Sequence, residues 1–216
     1  MTGFGVMMDK MNTQRFSSAA GRTDAAGNAV TELIGKLKAE NDESRTQAWF
    51  QCGPLGVRAI PPLAALWADA AVGLEVRRAA RRAVAQIVRY AARPEAGEEK
   101  RAVLTALRRL VEGDGPPQMR RELLWLLSEI AGEESLSALR QLLTKEAVRE
   151  EACMALERIP GNRSLKALEG ALAQAPADFK PVLAAALARR GREVRGVPTR
   201  RLVPAAQTRV GPLSQP

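Results

Sequence analysis

The chain of 216 residues contains no histidine, two cysteines and aromatic residues at only 4 %. Without histidine, the Ser–His–Asp and Cys–His forms of nucleophilic catalysis have no general base. Cys52 and Cys153 stand 101 positions apart, so no paired-cysteine zinc spacing exists. Both sit in helical patterns among small or apolar neighbours, which predicts two buried free thiols and no disulfide. No Gly-rich phosphate-binding motif is present. No apolar run approaches the roughly 20 residues that span a bilayer. The first 28 residues lack the continuous apolar core of a secretory signal, so a cytoplasmic protein is expected. Runs of alternating β-branched residues are missing, which argues against strands. The expected catalytic residues, cofactors and metal ligands are therefore none. The carboxylates are scattered, often at helical spacing from arginines, as Glu146 is from Arg149, with Glu150 next to it.

Charge is present but unevenly placed. The formal net charge is +9. Residues 189–216 hold seven Arg and one Glu, and residues 1–28 hold three basic and two acidic groups. The stretch 29–188 carries 23 basic and 21 acidic residues, nearly balanced. The high isoelectric point is thus a property of the C-terminal tail and does not by itself indicate nucleic-acid binding.

The dominant positive feature is a recurring pattern. ESRTQAWFQCGPLG, EVRRAARRAVAQIV, QMRRELLWLLSEIAG, AVREEACMALERIPG and FKPVLAAALARRG align on Arg45, Arg77, Arg120, Arg149 and Pro181. These anchors lie 32, 43, 29 and 32 residues apart. Between them runs a second series, 57–67, 100–111, 136–143 and 165–172, with 30–39 as an earlier member. Each carries Leu or Ile three and six or seven positions apart, as Leu104, Leu107 and Leu110 do, which makes one apolar stripe per helix. Pro61 and Pro62 fit the first turn of such a helix. GPLG, PGN, EGDGPP and QAPAD are breakers between helices. The interval of 43 residues is expected to hold a long first helix, about Leu74–Ala92, and a polar loop insertion from Arg93.

Units of this length cannot bury their stripes alone and must stack. The alternation of V-R-x-x-A-x-x-A-L-x-x-I helices with L-x-A-L-x-x-L-L helices resembles HEAT repeats, in the compact bacterial form first associated with phycobilisome lyases. It is clearest in EVRRAARRAVAQI and AVREEACMALERIPG. The resemblance spans about residues 30–191. It implies an all-α, right-handed, armadillo-like α-solenoid of about five helix pairs, and a scaffold with no enzymatic activity. Among enzymes of similar architecture, a deoxyhypusine hydroxylase would need histidine ligands. A lyase or an alkylpurine-glycosylase-like protein remains an alternative. Trp49, Trp67 and Trp125 would be the aromatics of such a site, but each falls in or beside an apolar stripe and is expected to pack in the core.

In this arrangement Arg45, Arg120 and Arg149 have a structural use, each stem crossing a neighbouring repeat and each head meeting a helix end or a carboxylate. The candidate partner-binding residues are instead Arg78, Arg82, Arg89, Arg93, Arg101, Arg108, Arg109 and Arg121. The first four share one helical face, and the rest follow on the next two helices as one basic ridge. It suits a protein with an acidic surface; the alternative is nucleic-acid phosphate. Glu75, Glu98, Glu99 and Glu122 stand close enough in sequence to neutralise it. The expected organisation is a disordered segment at 1–28, a repeat solenoid at 29–191 and a basic disordered tail at 192–216.

Overall fold

The computed structural model describes residues 27–198, so most of the N-terminal segment and the tail beyond 198 lie outside the described residues. Among those described there is no strand. Residues 27 and 28 open the first helix instead of belonging to the N-terminal segment. This helix, α1, covers 27–37. It is followed by α2 (Asp42–Gln51), a 3-10 segment (Gly53–Ala59) and α3 (Ile60–Ala68). Next come α4 (Leu74–Ala91), α5 (Gly97–Glu112) and α6 (Pro117–Ile130). A 3-10 turn (Glu133–Ser135) leads to α7 (Leu136–Leu142), α8 (Arg149–Arg158), α9 (Asn162–Gln174) and α10 (Lys180–Arg189).

The helices form two compact units, divided between Ala131 and Gly132. In the first, α4 packs against α2 and α6 along one row and against α3 and α5 in a second row. In the second unit, α8 and α10 form one row and α7 and α9 the other. The two sequence series are these two rows.

Local chemistry sets the ends of the elements. Asn41 caps α2, its side chain accepting from the Glu43 N–H at 2.8 Å. Pro61 and Pro62 lie in the first turn of α3, where their missing donors cost nothing. Gly161, at φ 93°, makes the reversal from α8 into α9, a conformation that side chains with a Cβ rarely adopt.

The long first helix expected in the 43-residue interval is α4, but the loop after it is shorter than expected. α4 has 18 residues and α5 has 16, joined across 92–96, so the extra length is helical.

The core follows the stripes. Ile60, Leu63, Ile87, Leu107, Leu123, Leu124 and Leu127 are buried in the first unit, and Leu139, Leu156, Ile159 and Phe179 in the second. Along α4 the buried residues are mainly small: Ala79, Ala80, Ala83 and Ala91 beside Val84, Ile87 and Val88. Alanine lets a helix with neighbours on several sides be approached closely. A similar approach occurs at Gly53, where a Cβ would fall 2.8 Å from Cγ of Tyr90. Gly53→Ala is therefore expected to destabilise the protein by about 1–3 kcal/mol through overpacking, read as a lower urea midpoint at unchanged m-value.

Candidate functional site

The recurring arginines divide by what their heads reach. Arg45 donates through Nη1 to the Ala39 and Glu40 carbonyls, just past the end of α1, and pairs with Asp42. Arg120 donates from Nε to the Val111 carbonyl, at the end of α5, at 2.7 Å. Both satisfy the orphan carbonyls that every helix leaves at its C-terminus. Arg149 pairs with Asp178, not with its sequence neighbours Glu146 and Glu150, and its guanidinium lies 4.8 Å from the Phe179 ring centroid.

Arg190, at the end of α10, takes the same task for α8. Its Nη1 donates to the Glu157 and Ile159 carbonyls at 2.9 and 2.8 Å, and its Nη2 to the Gly161 carbonyl at 2.9 Å. Nη1 also reaches Oγ of Ser164 at 3.1 Å, whose hydroxyl donates to the Ile159 carbonyl at 2.6 Å. These are bonds of the fold, and they leave those side chains committed.

The eight candidate binding arginines fall on three helices in two rows. Arg78, Arg82 and Arg89 lie on α4, Arg93 just beyond it, and Arg121 on α6, within the row of α2, α4 and α6. Arg101, Arg108 and Arg109 lie on α5, in the other row.

The α4 group is largely occupied. Arg78 pairs with Glu75 at 2.7 Å, Arg89 with Glu129 at 3.3 Å and Arg93 with Glu99 at 2.7 Å. Arg93 also donates to the Tyr90 carbonyl and stacks on its ring, 3.7 Å from the centroid. Arg82 sits over Trp49 at 5.7 Å. Neutralisation therefore comes from Glu75 and Glu99, as the sequence indicated, and also from Glu129 of α6, which it did not indicate.

The α5 group differs. Its solvent stripe is Glu98, Arg101, Thr105, Arg109 and Glu112, with Arg108 half-buried beside it. No carboxylate among the described residues lies within ion-pair distance of Arg101, Arg108 or Arg109, and Nε of Arg108 is buried without an acceptor. Its outermost acids, Glu98 and Glu112, stand at the two ends of the stripe.

A cavity of about 380 Å³ opens between the first turns of α4 and α6, over the end of α3. Its wall carries Arg77, Arg78, Arg81 and Arg82 against one acid, Glu122, which Arg81 holds at 2.5 Å. Apolar surface comes from Trp67, Leu74 and Met119. Leu74 is 52 % exposed at the rim.

The tryptophans are less buried than core packing would make them. Trp49 and Trp67 are half-buried, and Trp125 is 47 % exposed on the outer face of α6. The reason is helical phase: Trp125 sits between Leu124 and Leu126, both buried, but follows Arg121 by one turn on the solvent side.

Both cysteines are buried free thiols. Burial pushes Cys52 up to about 12 and Cys153 up to about 12, so neither is a thiolate nucleophile at neutral pH. Among the described residues no three His, Cys, Asp or Glu side chains gather closely enough to hold a metal ion. No helix described is long and apolar enough to cross a membrane.

Residues 102–188, from α5 to the last turn of α10, match the family model of HEAT repeats. Residues 102–188 therefore carry HEAT repeats, and the described residues are all-α, arranged as HEAT-like helix pairs. The matched stretch includes Arg108, Arg109 and Arg121; Arg78, Arg82, Arg89, Arg93 and Arg101 precede it. No curated protein matches the chain.

Proposed function

We propose that this protein is a non-catalytic adaptor that holds an acidic surface of another protein against the arginine face of α5. The observation carrying this reading is the contrast between two arginine groups of one unit. On α4 the guanidiniums of Arg78 and Arg89 are taken up by carboxylates and that of Arg82 by an aromatic ring. On α5, Arg101 and Arg109 are exposed and have no carboxylate partner among the described residues. Acidic side chains of a partner supply those missing counter-charges, which steers association and fixes register. Repeat architecture of this kind suits the role because it presents long, rigid faces.

A protein partner fits better than nucleic acid. Phosphate tracking needs a continuous row of free cations, often with aromatic platforms for bases. Here Glu98 and Glu112 close the α5 stripe at both ends, and its exposed side chains include no aromatic.

The test is capture from extracts of the native cell with and without nuclease treatment, with three baits. Wild type and Arg89→Glu should retain the same stoichiometric protein, and the double variant Arg101→Glu, Arg109→Glu should lose it. Retention by the double variant, or loss of the protein on nuclease treatment, contradicts the proposal.

A further inference from the structure

Arg77 stands where Arg45 and Arg120 stand in their own repeats, yet it does not do what they do. Those two reach back to the carbonyls ending the preceding helix. Arg77 lies over the end of α3, beside Trp67 and Ala68 in the cavity wall, and its Nε is buried with no acceptor. That Nε is closed off by protein atoms, but the side chain lines the cavity and no acceptor among the described residues takes the rest of its head, which leaves the guanidinium open to an anion entering the cavity.

The surroundings narrow what that is. Of the four arginines in the wall, Arg78 is held by Glu75, Arg81 by Glu122 and Arg82 by the Trp49 ring. One guanidinium remains to be satisfied. The two helix starts flanking it, Gly73 before α4 and Pro116 before α6, offer no side-chain caps, so the ends of both helices leave positive backbone potential there. Pro117 supplies no N–H to the first turn of α6, however, which thins the donor set. One free guanidinium with few backbone donors, beside Glu122, matches a monoanion gripped bidentately and suits a dianionic phosphate poorly. The apolar wall of Trp67, Leu74 and Met119 suits a large side chain next to that acid.

We propose that the cavity between the starts of α4 and α6 is a carboxylate pocket. It takes an acidic side chain, with an adjacent apolar one, from an extended segment of a partner protein, and Arg77 grips the acid. The pocket rests on the reading that the partner is a protein, but it lies in the other row from Arg101 and Arg109. Its failure therefore leaves the α5 test untouched, and failure of the α5 test leaves the pocket measurable.

The experiment uses the purified full chain labelled with ¹⁵N and titrated with the capped peptide acetyl-Leu-Glu-Glu-Leu-amide. The Arg77 Nε–H and Trp67 indole resonances should shift and saturate together, with the Trp125 indole signal unmoved. Arg77→Lys should weaken the peptide roughly ten-fold, since an ammonium cannot form the paired bonds of a guanidinium. Arg77→Met should abolish the Trp67 indole shift while leaving the thermal midpoint close to that of wild type. Leu74→Glu, at the exposed rim, should also abolish it by placing a competing acid at the pocket mouth.

Absence of saturable shifts overturns the proposal. So does inorganic phosphate moving the same resonances at equal or lower concentration. A large drop in thermal midpoint for Arg77→Met would show that the guanidinium already serves the fold, and that too overturns it.

Discussion

Arg190→Ala should lower stability by about 3 kcal/mol, the loss of several charge-assisted bonds to a partly desolvated helix end. In a chain of this size that corresponds to a thermal midpoint roughly 6–12 °C lower. The magnitude comes from geometry: one guanidinium serves the carbonyls of Glu157, Ile159 and Gly161 and the hydroxyl of Ser164. Ile159 and Ser164 are buried, so water does not replace the bonds to them, whereas the exposed Gly161 carbonyl can turn to solvent. Arg190→Lys should recover little, because one ammonium cannot span acceptors on two sides of the turn.

The neighbouring Arg189 is the control. It makes two bonds to the Glu157 carboxylate, at 2.5 and 2.7 Å, but is largely in solvent. Surface pairs contribute about 0–1 kcal/mol, so Arg189→Ala should cost at most that. Calorimetry of both variants decides the matter; equal costs would contradict the capping role of Arg190.

The second large effect concerns binding. The double variant Arg101→Glu, Arg109→Glu should weaken the captured partner by roughly 100-fold, about 3 kcal/mol for two reversed contacts. The fold should persist, since neither exposed side chain has a partner among the described residues to lose. Arg89→Glu reverses a charge of the same type on α4, where Glu129 already stands opposite. It should change affinity little. Titration of the purified partner against all three proteins at fixed salt provides the comparison, and salt must be held constant because it screens these contacts. Equal weakening by Arg89→Glu and by the double variant would mean that overall charge, not the α5 face, governs binding.

Much of the fold was legible because its signals are local. The spacing of Leu104, Leu107 and Leu110 and the prolines at 61 and 62 each report on one helix, and the helices lie where those residues place them. Arg45 and Arg120 were readable as structural because they recur at one position and helix ends always need donors. The length of α4 was legible in its unbroken periodic face, but the start of α5 was placed three residues too late because Arg93, Pro94 and Gly97 look like a breaker run. In fact the turn takes only 92–96 and the polar Glu98 and Glu99 begin α5 as first-turn acids.

The binding arginines were harder. Helical phase groups residues along one helix, but whether adjacent helices share a row depends on tertiary packing. The single ridge from Arg78 to Arg121 thus divides between the α4–α6 row and α5. Pairings across helices, such as Arg89 with Glu129 or Arg81 with Glu122, span 40 and 41 residues and leave no local trace. Arg77 was hidden for the opposite reason. Its sequence context equals that of the capping arginines, and only the buried Nε without an acceptor sets it apart.

Arginine footprinting of the native complex addresses the central claim most directly. Free and partner-bound protein would be treated with phenylglyoxal and modification read residue by residue by mass spectrometry. Arg101 and Arg109 should be strongly protected in the complex, with Arg89 labelled equally in both states. Equal labelling of Arg101 and Arg109 with and without the partner would contradict the assignment of the α5 face as the surface that holds it.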